Sequence, residues 1–200
     1  MRVTVIDYRA GNLTSVVKAL RALGAEALVS EDPEAVRNAE RIVLPGVGHF
    51  AATRRLDETG IKAAVAEALA RQTPFLGICV GLQWLFAGSS EAPECTGLAA
   101  LDGSCQHFAP GRKVPHVGWN SLSIRPESRL LAGIGDGSFA YFTHSWWAPL
   151  GDATVAVAEY GEPFSAAVER GSLMGVQFHP EKSGETGLQV LRNFLEFPAC

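Results

Sequence analysis

The chain has 200 residues, 47% of them hydrophobic and 19% charged, with a formal net charge of −4. That length and composition suit one globular domain, residues 1–200, with a sizeable core. An acidic balance without a basic cluster argues against nucleic acid or an anionic membrane as partner, and no apolar run is long enough to span a bilayer.

In chain order, residues 3–7 read as a strand. The N-terminus lacks the long apolar segment and cleavage site of a signal peptide, so a cytoplasmic location is expected. A turn through residues 8–12 leads to a helical pattern over 13–23, stopped by Gly24. Residues 26–30 form a second strand candidate. Asp32-Pro33-Glu34 has the capping residue and proline of a helix start, and that helix ends near Asn38. A third strand over 41–44 is broken by Pro45-Gly46-Val47-Gly48. Residues 50–58 and 61–71 look helical, and the apolar run 75–78 looks like a buried strand.

Alternation of this kind predicts an open, doubly wound, mostly parallel sheet with helices on both faces, a flavodoxin-like core. Ligands of such sheets gather at the carboxyl ends of the strands. The second half changes character. Short β-like runs at 104–108, 139–143, 154–160, 165–169 and 173–177 predict an antiparallel extension of the same sheet. A short helix is expected around 129–131 and a last helix over 186–197. Residues 89–96 form the most flexible loop expected.

The stretch that organises the chain follows the strand at 75–78. Gly77-Ile78-Cys79-Val80-Gly81, with a helix beginning near Leu82, has the shape of a nucleophile elbow carrying cysteine. A cysteine among apolar residues is more often inert core. The flanking glycines favour a nucleophile, held where a helix's positive end stabilises thiolate. Its base is expected in Phe178-His179-Pro180-Glu181-Lys182. There His179 can move a proton, Glu181 can orient the ring, and Pro180 limits the loop's freedom. Pro45-Gly46-Val47-Gly48 is not a P-loop, since no Gly-Lys-Ser/Thr follows, so no nucleotide cofactor is expected. It reads instead as one side of an oxyanion hole, a backbone donor near Val47 joining the N–H of Val80. His49, His107, His116 and His144 are weaker candidates, and no histidine pair has metal-ligand spacing, so no metal site is expected. The other cysteines, Cys95, Cys105 and Cys200, are expected to be free thiols.

Taken together, Gly77 to Gln83 and His179-Pro180-Glu181 resemble the class I glutamine amidotransferases. Gly11-Asn12-Leu13, Pro45-Gly46-Val47-Gly48, Val114-Pro115-His116-Val117-Gly118-Trp119-Asn120 and Tyr141-Phe142-Thr143-His144-Ser145 narrow the resemblance to the glutaminase subunits of imidazole glycerol phosphate synthases, enzymes of histidine biosynthesis. The resemblance implies hydrolysis of L-glutamine through a thioester on Cys79. Gly48, Gln83, Ser145 and Trp146 would then hold the substrate. It implies a β/α-barrel cyclase as heterodimeric partner, receiving the ammonia, with Asn12, Trp119, Tyr141 and Lys182 at the interface. A rotation of a peptide in the loop 45–48 would complete the oxyanion hole. Val80, where leucine is commoner, leaves the backbone donor intact, whereas Trp146-Trp147 is bulkier than the family leads one to expect. An amidotransferase subunit of another pathway and a catalytically silent regulatory subunit are the alternatives.

Overall fold

The computed structural model describes residues 1–10 and 13–198. Its first half alternates as the sequence predicts: β1 (Arg2–Ile6), α1 (Leu13–Ala22), β2 (Glu26–Ser30), α2 (Pro33–Arg37), β3 (Ile42–Gly46), α3 (Arg54–Glu58), α4 (Ile61–Ala70) and β4 (Phe75–Cys79). Helix α1 turns Val16, Val17 and Leu20 inward, one apolar stripe at helical spacing. Asp32 caps α2 by accepting from the Glu34 N–H at 2.9 Å, ahead of Pro33. All five residues of β4 are buried, as a central parallel strand covered on both faces requires. The region 50–58, read as one helix, begins instead with a 3-10 turn (Phe50–Thr53) capped by the His49 ring.

The helix after β4 is α5 (Val80–Gln83). The chain continues through β5 (Gly88–Ser89), β6 (Ser104–His107), β7 (His116–Ser121), β8 (Ser123–Ile124), β9 (Phe139–His144) and β10 (Trp146–Trp147). It closes with β11 (Thr154–Glu159), β12 (Pro163–Arg170), β13 (Leu173–Val176) and α6 (Gly184–Glu196). The described residues form a main sheet in the order β2-β1-β3-β4-β13-β12-β11-β8. It is parallel from β2 through β13 and antiparallel from β13 to β8. Helix α1 packs with α6, and α4 with α2 and α3. None of the described helices is long and apolar enough to cross a membrane.

The antiparallel extension is real but smaller than expected. Strand β6 joins β5 and β10 in a separate small sheet, and β9 pairs with β7 as an isolated ribbon. Residues 129–131 form turns rather than a helix, tied down where the Leu130 N–H and the Arg129 Nε donate to Glu169. The segment 89–96 is anchored rather than loose: Ala92 and Cys95 are buried, and Glu91 accepts from the Phe50 N–H at 2.8 Å. Cys79, Cys95 and Cys105 are all unbridged, while Cys200 lies outside the described residues.

Candidate active site

Strands β3, β4 and β13 are parallel neighbours, with Ile78 in register with both Pro45 and Val176. Their carboxyl ends therefore deliver the loop 45–48, Cys79 and the segment leading to His179 to one edge of the sheet. Cys79 has φ 55° and ψ −109°, a conformation L residues rarely adopt, and α5 begins immediately after it. The sequence makes this turn possible with glycine. A Cβ on Gly77 would collide with the Gly81 carbonyl, and one on Gly81 with the Leu44 carbonyl. Val80 opens the helix, so its N–H is among those without an intrahelical acceptor.

His179 precedes the 3-10 turn Pro180–Lys182 and is tied at both ends of its backbone. Its N–H donates to the Tyr141 carbonyl at 2.9 Å, and its carbonyl accepts from Ser183 Oγ at 2.7 Å. His179 Nδ1 lies 2.9 Å from Glu181 Oε1, both side chains almost wholly buried. Burial opposes charge on this ring, but Cys79 and Glu181 outweigh it and push its pKa up to about 9. The Nε2 atom has no hydrogen bond of ordinary geometry among the described residues, although Cys79 is close enough to act on the ring. The anticipated trio thus comes together as an elbow cysteine beside a carboxylate-held imidazole.

A cleft of about 240 Å³ opens beside the sulfur, lined in part by Val47, Gly48, Val80, Gln83, Ser145 and Trp146. All the residues read as oxyanion or substrate positions therefore border one space with Cys79. Gly48 takes φ +92°, the left-handed region that suits glycine. Gln83 is buried, and its Nε2 donates to the Trp146 carbonyl at 2.7 Å and to Gln177 Oε1 at 3.2 Å.

Two residues that the sequence reading missed belong here. Gln177 Nε2 approaches the Cys79 sulfur at 3.7 Å. It stands two residues before His179, and strand periodicity puts positions 177 and 179 on one side, which is the signal that could have found it. Glu91 brings a carboxylate to the cleft wall from the segment taken for a flexible loop. Nothing local in the sequence announces it.

His144, which lines the cleft, forms a buried pair with His116, His116 Nδ1 lying 3.2 Å from His144 Nε2. His144 Nδ1 donates to the Trp146 carbonyl at 2.9 Å, because a carbonyl can only accept. His144 Nε2 is then the acceptor, and His116 Nδ1 the donor. Burial pushes the His144 pKa down to about 3, with the neighbouring imidazoles adding to it, and the His116 pKa down to about 4. Among the predicted interface positions, Trp119 and Tyr141 face each other across β7 and β9 with ring centroids 6.0 Å apart. Lys182 is exposed in the adjoining turn. Asn12 lies outside the described residues. No group of three or more metal-ligating side chains occurs among the described residues.

This architecture is that of a recognised class. The chain belongs to the class-I glutamine amidotransferases, whose family model matches residues 4–197. Among solved structures it is similar to a crystal structure of a glutamine amidotransferase (TM-score 0.77, 24% identity, 97% of each chain). PurLQS from Thermotoga maritima is comparably similar (TM-score 0.75, 20% identity, 98% of each chain). At these identities the likeness carries the fold.

In sequence the relatives are more specific. The chain is 46% identical over 195 residues to the imidazole glycerol phosphate synthase subunit HisH of Methanothermobacter thermautotrophicus, covering 97% of this chain and 98% of the relative. It is 44% identical to the HisH of Deinococcus radiodurans, covering 96% and 92%. The family resemblance read from the motifs is thereby borne out.

Proposed function

We propose that this chain, acting as a single amidotransferase domain in the cytoplasm, is the glutaminase subunit of imidazole glycerol phosphate synthase. It hydrolyses L-glutamine and supplies ammonia to a β/α-barrel cyclase subunit. One observation carries the reading: an elbow cysteine on the cleft and a His179–Glu181 pair follow the ends of neighbouring parallel strands, with Cys79 close enough to act on the His179 ring. The relatives named HisH supply the pathway.

The Cys79 thiolate attacks the carboxamide carbon, and the negative oxygen of the tetrahedral adduct is taken by the Val80 and Val47 N–H groups. His179, protonated at neutral pH by the cause given above, gives its proton to the nitrogen as the C–N bond breaks. Ammonia leaves and a glutamyl thioester remains. Neutral His179 then takes a proton from water, hydroxide adds to the thioester, and glutamate departs as the thiolate re-forms. Glu181 keeps the ring oriented throughout. Glu91, the charged side chain on the cleft wall, is suited to the substrate's α-ammonium. Gly48, Gln83 and the main chain at Ser145 and Trp146 hold the rest of the glutamine. Trp119, Tyr141 and Lys182, with Asn12, form the cyclase-facing patch.

The test is glutamate release with the cyclase subunit and its nucleotide present. Cys79→Ala should lower it by about a thousandfold or more, as loss of a covalent nucleophile does. Release that persists at a substantial fraction of wild type would overturn the mechanism.

A further inference from the structure

We propose that Tyr8 is a positioning residue for the oxyanion loop. Its buried hydroxyl is the reserve donor for the Gly46 carbonyl when the Gly46–Val47 peptide turns its N–H into the cleft. This rests on the glutaminase reading above.

Tyr8 leaves the end of β1, the strand beyond β3 as seen from the elbow. Its side chain reaches across the end of β3 and is 2% exposed. A Cβ added to Gly46 would collide with the Tyr8 hydroxyl, and would stand 2.8 Å from Val80 Cβ and 3.0 Å from the Gly81 nitrogen. The hydroxyl, the oxyanion loop and the first turn of α5 therefore meet at one point, and glycine at 46 is what lets them meet. That hydroxyl has no hydrogen-bond partner among the described residues. Burial, and after it Cys79, raise the pKa of the phenol above its ordinary value, so it stays a neutral donor beside the nucleophile.

A buried hydroxyl without a partner is a net cost to the resting fold and calls for an explanation. Peptide geometry supplies one. The N–H and C=O of one planar peptide point in opposite directions. If the Val47 N–H turns toward the cleft, the Gly46 carbonyl must turn away from it. Val47 borders the cleft and Tyr8 does not, so the carbonyl turns toward the side that Tyr8 occupies. An unpaired buried carbonyl would resist that rotation. A waiting phenol removes the resistance and stabilises the turned form selectively.

The experiment compares wild type with Tyr8→Phe, each with the cyclase subunit and its nucleotide, in kcat and KM for glutamine and in thermal midpoint. The expected result is a kcat lower by at least about fivefold, a KM within about twofold of wild type, and a midpoint unchanged or higher, since Phe removes only an unsatisfied group. A kcat within about twofold of wild type would overturn the proposal. A clear drop in midpoint would also overturn it, because the hydroxyl would then be bonded at rest. So would a rise in KM that accounts for the loss, which would mark a deformed pocket. An inactive wild-type pair is a different failure: it sinks the glutaminase reading on which this one rests.

Discussion

His179 and His144 are both buried, His144 lining the cleft and His179 standing beside the cleft's cysteine, yet their rings titrate in opposite directions. On the parallel-sheet side, His179 meets a carboxylate and a thiol, and its pKa rises to about 9. On the ribbon side, His144 meets a carbonyl and another imidazole among aromatic rings, and its pKa falls to about 3. Burial by itself disfavours the charged ring in both places. The neighbours decide the sign, and with it the use. In the proposed mechanism one ring carries a proton through the reaction. The other stays neutral and acts as a strut under the Trp146 carbonyl, which Gln83 also holds.

The largest effect is expected where the sheet side is broken. Glu181→Gln keeps the shape and a hydrogen-bonding oxygen but removes one of the two groups, after Cys79, that raise the His179 pKa. We expect kcat for glutamine to fall by about a hundredfold or more, with KM little changed, as when the orienting acid of a triad is neutralised. A kcat within a few-fold of wild type would mean that Glu181 is only structural.

The two sides also differed in how plainly the sequence announced them. The elbow was legible because its signals are local: a short apolar run, two glycines at fixed spacing, and a strand-to-helix change at Cys79. The His179–Glu181 pair was legible for the same reason, its members being two residues apart. The ribbon side was not. Strand β7 contains Gly118 and follows Pro115, so it is absent from the β-like runs read in the sequence, and β10 is two residues long. Such strands are fixed by distant partners, so sequence could find β-like runs but could not apportion them among three sheets. Tyr8, Gln177 and Glu91 escaped for a related reason. Each is an ordinary residue locally, and its place at the site follows from what the fold brings beside it.

Breaking the ribbon side should therefore change binding more than chemistry. His144→Phe preserves an aromatic body in the cluster with Phe108, Phe142 and Phe164 but deletes the donor to Trp146. Losing that bond, which shapes the substrate loop, together with the one accepted from His116, corresponds to a KM raised about threefold to tenfold, with kcat nearly unchanged. A fall in kcat at constant KM would place His144 in the chemistry instead.

The smallest effect sharpens the comparison most, because it reads the two rings through stability alone. A ring whose pKa is raised on folding contributes stability that is full below its unfolded value, about 6.5, and is lost as pH rises through the folded value. His179 should thus weaken the fold between pH 6.5 and about 9. A ring whose pKa is depressed contributes stability above about 6.5 that is lost as pH falls. His144 and His116 should weaken the fold below that, toward about 3 and about 4 respectively. Urea unfolding at pH 5, 7 and 9 should show both limbs, each on the order of 1 kcal/mol. Glu181→Gln should make the alkaline limb shallower, leaving the Cys79 share, and leave the acid one. His144→Phe should make the acid limb shallower, leaving the His116 share, and leave the alkaline one. If either substitution changed both limbs equally, the two imidazoles would be one coupled system, and the division of labour between the sheet side and the ribbon side would have to be abandoned.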